Sequence, residues 1–246
     1  MRSLAPNPNV AERIERDLTR AILRGDHRPG SRLPTLRELA VEYGVNPSTM
    51  QRALARLEAR GLITARQGSG LRVNDPHDVA DLTLLADWLA VTVDDPERAA
   101  NLIEELAEVR RILAVRLLVR HRQRILDLMP ELITHVATLR TPSGDLSWRA
   151  SIEVEKRIVR ATGNSMVVTL LNSMARALEE HPLLVEAMFG DGDRSADGLL
   201  VFVDVIREGG DAMAERLEAI MAAGDAETAR RFRRLLEEQA KKAGAA

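Results

Sequence analysis

From Val10 to Arg24 the apolar residues Val10, Ile14, Leu18, Ala21 and Ile22 recur at helical spacing, which sets one face of an amphipathic helix against a core, and Gly25 closes the run. The stretch HRPGSRLP that follows reads as a turn and a short extended piece, punctuated by Pro29-Gly30. Thr35-Leu36-Arg37-Glu38 is a capping box: the Thr35 hydroxyl accepts from the backbone three residues on while Glu38 reaches back. A short helix is therefore predicted from 36 to about 43, stopped by Gly44. Asn46 is a good N-cap, and Pro47 stands at the first helical position, where its missing N–H costs nothing. The next helix runs to Gly61, with Met50, Ala53, Leu54 and Leu57 on one face and Ser48, Gln51, Arg52, Ala55 and Arg56 largely on the other. Two helices joined by a short glycine-containing turn make a helix-turn-helix. Two short strands at 62–65 and 71–73, joined by the glycine-rich tip RQGSG, add a wing.

Beyond the wing the pattern turns helical and stays so. Helices are predicted at 79–92, 97–122, 124–138, 147–161, 165–188 (broken near Pro182), 195–208, 210–223 and 225–243, with no further strand and no fixed repeat. The fold class is mainly α: an N-terminal winged helix-turn-helix over 1–74, then an all-α helical bundle over 75–246.

Charge separates the same two parts. The 246-residue chain has a net charge of −2, but residues 1–74 hold 13 arginines against 7 acids, leaving 22 basic and 30 acidic residues for the remainder. A basic reading head joined to an acidic body predicts different partners for the two. The absence of cysteine excludes disulfides, Cys-containing zinc sites and a Cys nucleophile. Aromatic residues form 2% of the chain, too few for a stacking platform for single-stranded nucleic acid. No apolar stretch reaches membrane-spanning length and the MRSLAPNPNV start lacks a signal-like run, so a cytoplasmic protein without membrane contact is expected.

Residues 10–74 resemble the winged-helix DNA-binding domain of the GntR family of bacterial transcription regulators. The likeness lies in I-L-R-G-x-x-R-P-G-x-R-L-P-T-L-R-E-L-A at 22–40, Gly44-Val45-Asn46, A-L-x-R-L-E-x-x-G-L-I at 53–63, and Gly68-x-Gly70. The remainder resembles the all-helical effector domain of the FadR subfamily in Glu108-Val109-Arg110, Ala161-Thr162-Gly163-Asn164 and Gly224-Asp225-Ala226-Glu227-Thr228-Ala229.

The resemblance implies a ligand-responsive regulator that binds double-stranded operator DNA as a homodimer, its two-fold symmetry matched to a palindromic site. DNA-contacting positions implied by it are Arg37, Asn46, Ser48, Thr49, Gln51 and Arg52, with Arg66, Gln67 and Gly68 on the wing. Many relatives carry Arg where this chain has Pro47 and Gln51. Arginine favours guanine and glutamine pairs with adenine, so their operators do not transfer to this chain. In the helical part, many members hold a metal with one Asp and three His. Alignment leaves Ser151, Glu155, Met213 and Leu236 at those places, so neither a metal nor another cofactor is expected. The effector implied is an acyl-CoA, with a small organic acid as the alternative. Arg110, Ser151 and Glu155 are its candidate contacts.

No enzyme is expected. Gly68-Ser69-Gly70 opens no helix and so is a wing turn rather than a phosphate cradle, and the pairs Glu104-Glu105 and Glu179-Glu180 fall on solvated helix faces. The competing class is a helical protein-interaction module whose winged helix no longer reads DNA, which would show little salt dependence of DNA association.

Overall fold

The computed structural model describes residues 10–66, 70–139 and 144–244, and divides the chain into two compact units, Met1–Val91 and Thr92–Ala246. In the first, α1 (Val10–Arg24) buries Ala11, Ile14, Leu18 and Ile22 against α3 (Pro47–Ala59), which contributes Met50, Ala53 and Leu57. Between them, α2 (Leu36–Glu42) opens on the capping box, with the Thr35 amide donating to the Glu38 carboxylate at 2.7 Å and the Glu38 amide to Thr35 Oγ1 at 3.3 Å. Those bonds hold the Glu38 carboxyl below its usual range, the Thr35 backbone bond contributing most. β1 (Ile63–Arg66) and β2 (Gly70–Val73) pair antiparallel, Ile63 opposite Val73 and Arg66 opposite Gly70. The extended piece before α2 joins their edge: Arg32 bridges Arg72, and the Leu33 amide donates to the Leu71 carbonyl.

The first unit continues well past residue 74, where the sequence pattern places the domain boundary. After α4 (Pro76–Val79) and a single 3-10 turn at Leu82–Leu84, α5 (Leu85–Thr92) returns to the winged helix. Leu84 enters its core, Trp88 packs on that core, and Arg60 donates to Asp87 at 2.7 Å. Val79 lies so close to Gly61 that a Cβ at Gly61 would stand 3.3 Å from the valine's own, and Gly61 also needs a φ of +73°. The helix expected at 79–92 is shorter for a local reason: the Asp81 side chain takes the Thr83 amide and hydroxyl and starts a new turn there.

The second unit is all-helical among its described residues. Its elements are α6 (Pro96–Arg120), α7 (Arg122–Leu126), α8 (Met129–Leu139), α9 (Gly144–Ala161), α10 (Ser165–Glu179), α11 (Pro182–Phe189), α12 (Gly192–Glu208) and α13 (Met213–Gly244). The break before Pro182 occurs as the pattern predicts, and a further break at Asp127–Leu128 divides the segment read as one helix at 124–138. The break expected at Gly224 is absent, and α13 runs through it. A helical glycine costs about 1 kcal/mol relative to alanine. Packing along α6, which buries Asp225, Ala229, Phe232 and Leu236, outweighs that cost. A separate core of Leu118, Ile125, Leu132, Ile158, Val203 and Leu217 ties α6–α9 to α12 and α13.

Candidate DNA-reading surface and ligand cavity

The start of α3 is built by its cap. Asn46 Oδ1 accepts from the Thr49 amide at 2.8 Å and from the Ser48 hydroxyl at 2.9 Å, satisfying helix-end donors and fixing the first turn. Ser48, Gln51 and Arg52 are exposed beside it, and Arg37 is exposed on α2. Neither Arg37, Gln51 nor Arg52 has a side-chain hydrogen bond or ion pair among the described residues. Thr49 differs from the expectation of a DNA contact. It is turned into the fold, only 8% exposed, so its side chain serves packing.

Arg56, Arg60 and Arg72 of this unit, by contrast, are engaged. Arg56 pairs with Glu12 of α1 at 2.9 Å, and Arg72 donates to the Gly30 carbonyl at 2.8 Å. Arg60 holds Glu15, the Thr83 carbonyl and Asp87, partners that raise its pKa further against the opposing cost of burial. The sequence pattern did not single out Arg60 or Asp87. Gln67 and Gly68 lie outside the described residues, as does the side chain of Arg66.

In the second unit, residues of α6 and α9–α13 line a cavity of about 330 Å³ that opens to solvent. Its walls are mostly aliphatic, among them Leu117, Ile158, Leu171 and Phe202. Arg110, Ser151 and Glu155, expected from the sequence to share a site, all line it. Arg110 Nη2 donates to Asp225 at 2.6 Å, and its Nη1 lies 3.8 Å from Glu155. Arg111 donates to Asp225 at 2.7 Å and to Glu218 at 2.7 Å, contacts that hold its guanidinium above the usual range, Glu218 first. The Glu155 side chain keeps 34% of its exposure, directed into the cavity. Burial pushes its carboxyl up; Arg110 opposes this and Asp225 adds to it.

Asp225 was visible in the sequence only as part of a motif. Its signal is positional: it interrupts the stripe of Leu217, Met221, Ala229, Phe232 and Leu236 along α13, where a charge is costly unless paired. Met213 and Leu236, which sequence alignment set at the last two metal positions, are buried in the unit and do not face the cavity. The residues that face Ser151 and Glu155 from α12 and α13 include Ser195, Leu199, Ile220 and Met221. Among the described residues no three His, Asp or Glu side chains gather as a metal site, and no helix is long and apolar enough to cross a membrane.

Comparison with known proteins is clearest within the first unit. Residues 10–73 match the gntR family of bacterial regulatory proteins. Over 68 residues the chain is 49% identical to an HTH-type transcriptional regulator of Mycobacterium tuberculosis, covering 28% of each. It is 32% identical over 96 residues to the fatty acid metabolism regulator protein of Vibrio vulnificus, covering 39% of this chain and 33% of that protein. Similarity to the Uxu operon transcriptional regulator of Escherichia coli extends further, 28% identity over 171 residues, covering 67% of this chain and 63% of the relative. In each case the chain spans less than two thirds of the relative's length.

Proposed function

Because residues 10–73 are a GntR-family helix-turn-helix domain, we propose that this protein is a transcription regulator that binds operator DNA as a homodimer and responds to a small molecule held in the cavity of its helical unit. The observation that carries the reading is the exposed, unpaired set Arg37, Gln51 and Arg52 around the capped start of α3. A helix N-terminus that presents donors without internal partners is suited to base edges in the major groove and to phosphate. Asn46 and Ser48 add a positioned amide and hydroxyl, and Arg66, Gln67 and Gly68 of the wing would meet the backbone or the minor groove. A single small head offers limited affinity, whereas a two-fold dimer doubles the contacts and demands an inverted repeat.

The test is a binding selection on random duplex DNA with the full chain, followed by titration at several salt concentrations. An enriched palindrome whose affinity falls steeply with salt is expected. No enrichment, with association indifferent to salt, would favour the protein-interaction module instead.

For the effector, similarity to a fatty acid metabolism regulator and the aliphatic walls both favour an acyl-like body. The volume, about 330 Å³, is at the small end of ligand pockets and suits an acyl chain. The head group is a separate matter, decided by the charges at the polar end.

A further inference from the structure

Five polar or charged residues line the cavity: Arg110, Ser151, Glu155, Thr162 and Ser195. The Ser195 hydroxyl donates to the Asp191 carbonyl at 3.0 Å, which leaves its oxygen as an acceptor, whereas the Thr162 hydroxyl donates to the Val159 carbonyl at 2.6 Å and already accepts from the Asn164 amide at 3.2 Å. Arg110 is the cation that would capture an acid, yet its charge is met by Asp225 at 2.6 Å. Asp225 in turn holds Arg111, which holds Glu218. Two guanidinium groups thus face three carboxylates, and the surplus is Glu155. Its distance of 3.8 Å from Arg110 is too long for a hydrogen bond, and among the described residues no donor reaches its oxygens.

We infer that the ligand of this cavity is a hydrophobic amine, its ammonium seated on the Glu155 carboxylate and its apolar body along the aliphatic walls. This rests on the reading of the cavity as the effector site. A carboxylate ligand would bring a fourth anion to a cluster already one cation short. An ammonium group supplies the missing charge and donates to oxygens that have no donor among the described residues, and charge-assisted bonds are among the stronger hydrogen bonds. The Ser195 oxygen offers a further acceptor in the cavity lining.

The experiment titrates the full chain with three probes of one chain length, octylamine, octanol and octanoate, reading both the melting temperature and the dissociation constant. Octylamine is expected to raise the melting temperature and to bind at least about tenfold tighter than octanoate. Glu155→Gln should bring its affinity down to that of octanol without lowering the stability of the free protein. Tighter binding of octanoate, or no binding by any probe, overturns the inference. Ala114→Phe, which fills the cavity from α6, separates this from failure of the underlying reading. If octanoate binds more tightly than octylamine and Ala114→Phe abolishes that binding, the cavity stands and the amine falls. If amine binding survives Ala114→Phe unchanged, the cavity is not the site and both fall.

Discussion

On α2 and α3 of the first unit, Arg37 and Arg52 project without partners among the described residues, whereas on α6 of the second unit Arg110 and Arg111 converge on one buried carboxylate at 2.6 and 2.7 Å. The difference lies in what each unit has already satisfied. A free guanidinium on a capped helix start keeps its donors and its charge for a polyanion. A guanidinium held by Asp225 joins two long helices, and the group it leaves uncompensated is an acid. The arginine-rich composition is the same in both units, so a count of basic residues alone does not reveal which of them can bind an anion.

Asp225→Ala has the largest expected effect, since it strands two guanidinium groups against the apolar stripe of α13. Removing one partner of a buried charge cluster costs about 3 kcal/mol, and partial exposure of Arg110 keeps the effect from being larger. Each unit contains one tryptophan, Trp88 in the first and Trp148 in the second, so unfolding of a Trp88→Phe background reports on the helical unit alone. A loss below about 1 kcal/mol would mean the network contributes no more than exposed pairs do.

Arg52→Ala and Arg37→Ala act on the other side of the contrast. Because these side chains have no internal role, stability should hold while operator affinity falls by about 1–3 kcal/mol for a group that reads a base, with relaxed preference at that position. A group that meets only phosphate should instead weaken all sequences alike and reduce the salt slope. Retained operator binding in both variants would remove α3 from the reading role.

How much of this was legible in the sequence depended on the range of the interactions. The Thr35–Glu38 box and the Asn46–Pro47 start are complete within four residues, so their geometry could be written down from residue identity and found in place. Gly224 looked like a stop because local propensity opposes it, but α13 continues through it packed along α6, with contacts as distant in sequence as Arg110 to Asp225, 115 residues apart. The side of α3 on which Thr49 falls is likewise set by packing. Extension of the first unit to α5 depends on Arg60 meeting Asp87 across 27 residues, with no motif to mark either one. Arg110, Ser151 and Glu155 could be placed together through a family pattern, while the identity of Arg110's partner needed the fold.

A smaller effect sharpens the account of the acid. Burial raises the Glu155 carboxyl above its ordinary value, with Arg110 and Arg111 on α6 and Asp225 and Glu218 on α13 as the charges around it. Between the ordinary and the raised value the folded protein holds a proton that the unfolded chain has released, so stability falls as pH rises through that window. Glu155→Gln should flatten this decline in a plot of melting temperature against pH, and parallel slopes in the two proteins would show that Glu155 is not strained by burial.

The smallest effect is expected one turn along α3 from Arg52. Arg56 shares the outward face and the chemistry of its neighbour, so a reading based on charge alone gives both the same role. In the structure its Nη2 is 2.9 Å from Glu12, with side-chain exposures of 50% and 38%. An exposed pair of this kind is worth about 0–1 kcal/mol. Arg56→Ala should therefore leave stability nearly unchanged. Its donors are turned toward α1 rather than outward, so the operator affinity should also change far less than in Arg52→Ala when the two are titrated side by side. If Arg56→Ala instead costs as much as Arg52→Ala, the pair with Glu12 must open on DNA, and Glu12→Gln, which frees Arg56 beforehand, should then raise operator affinity.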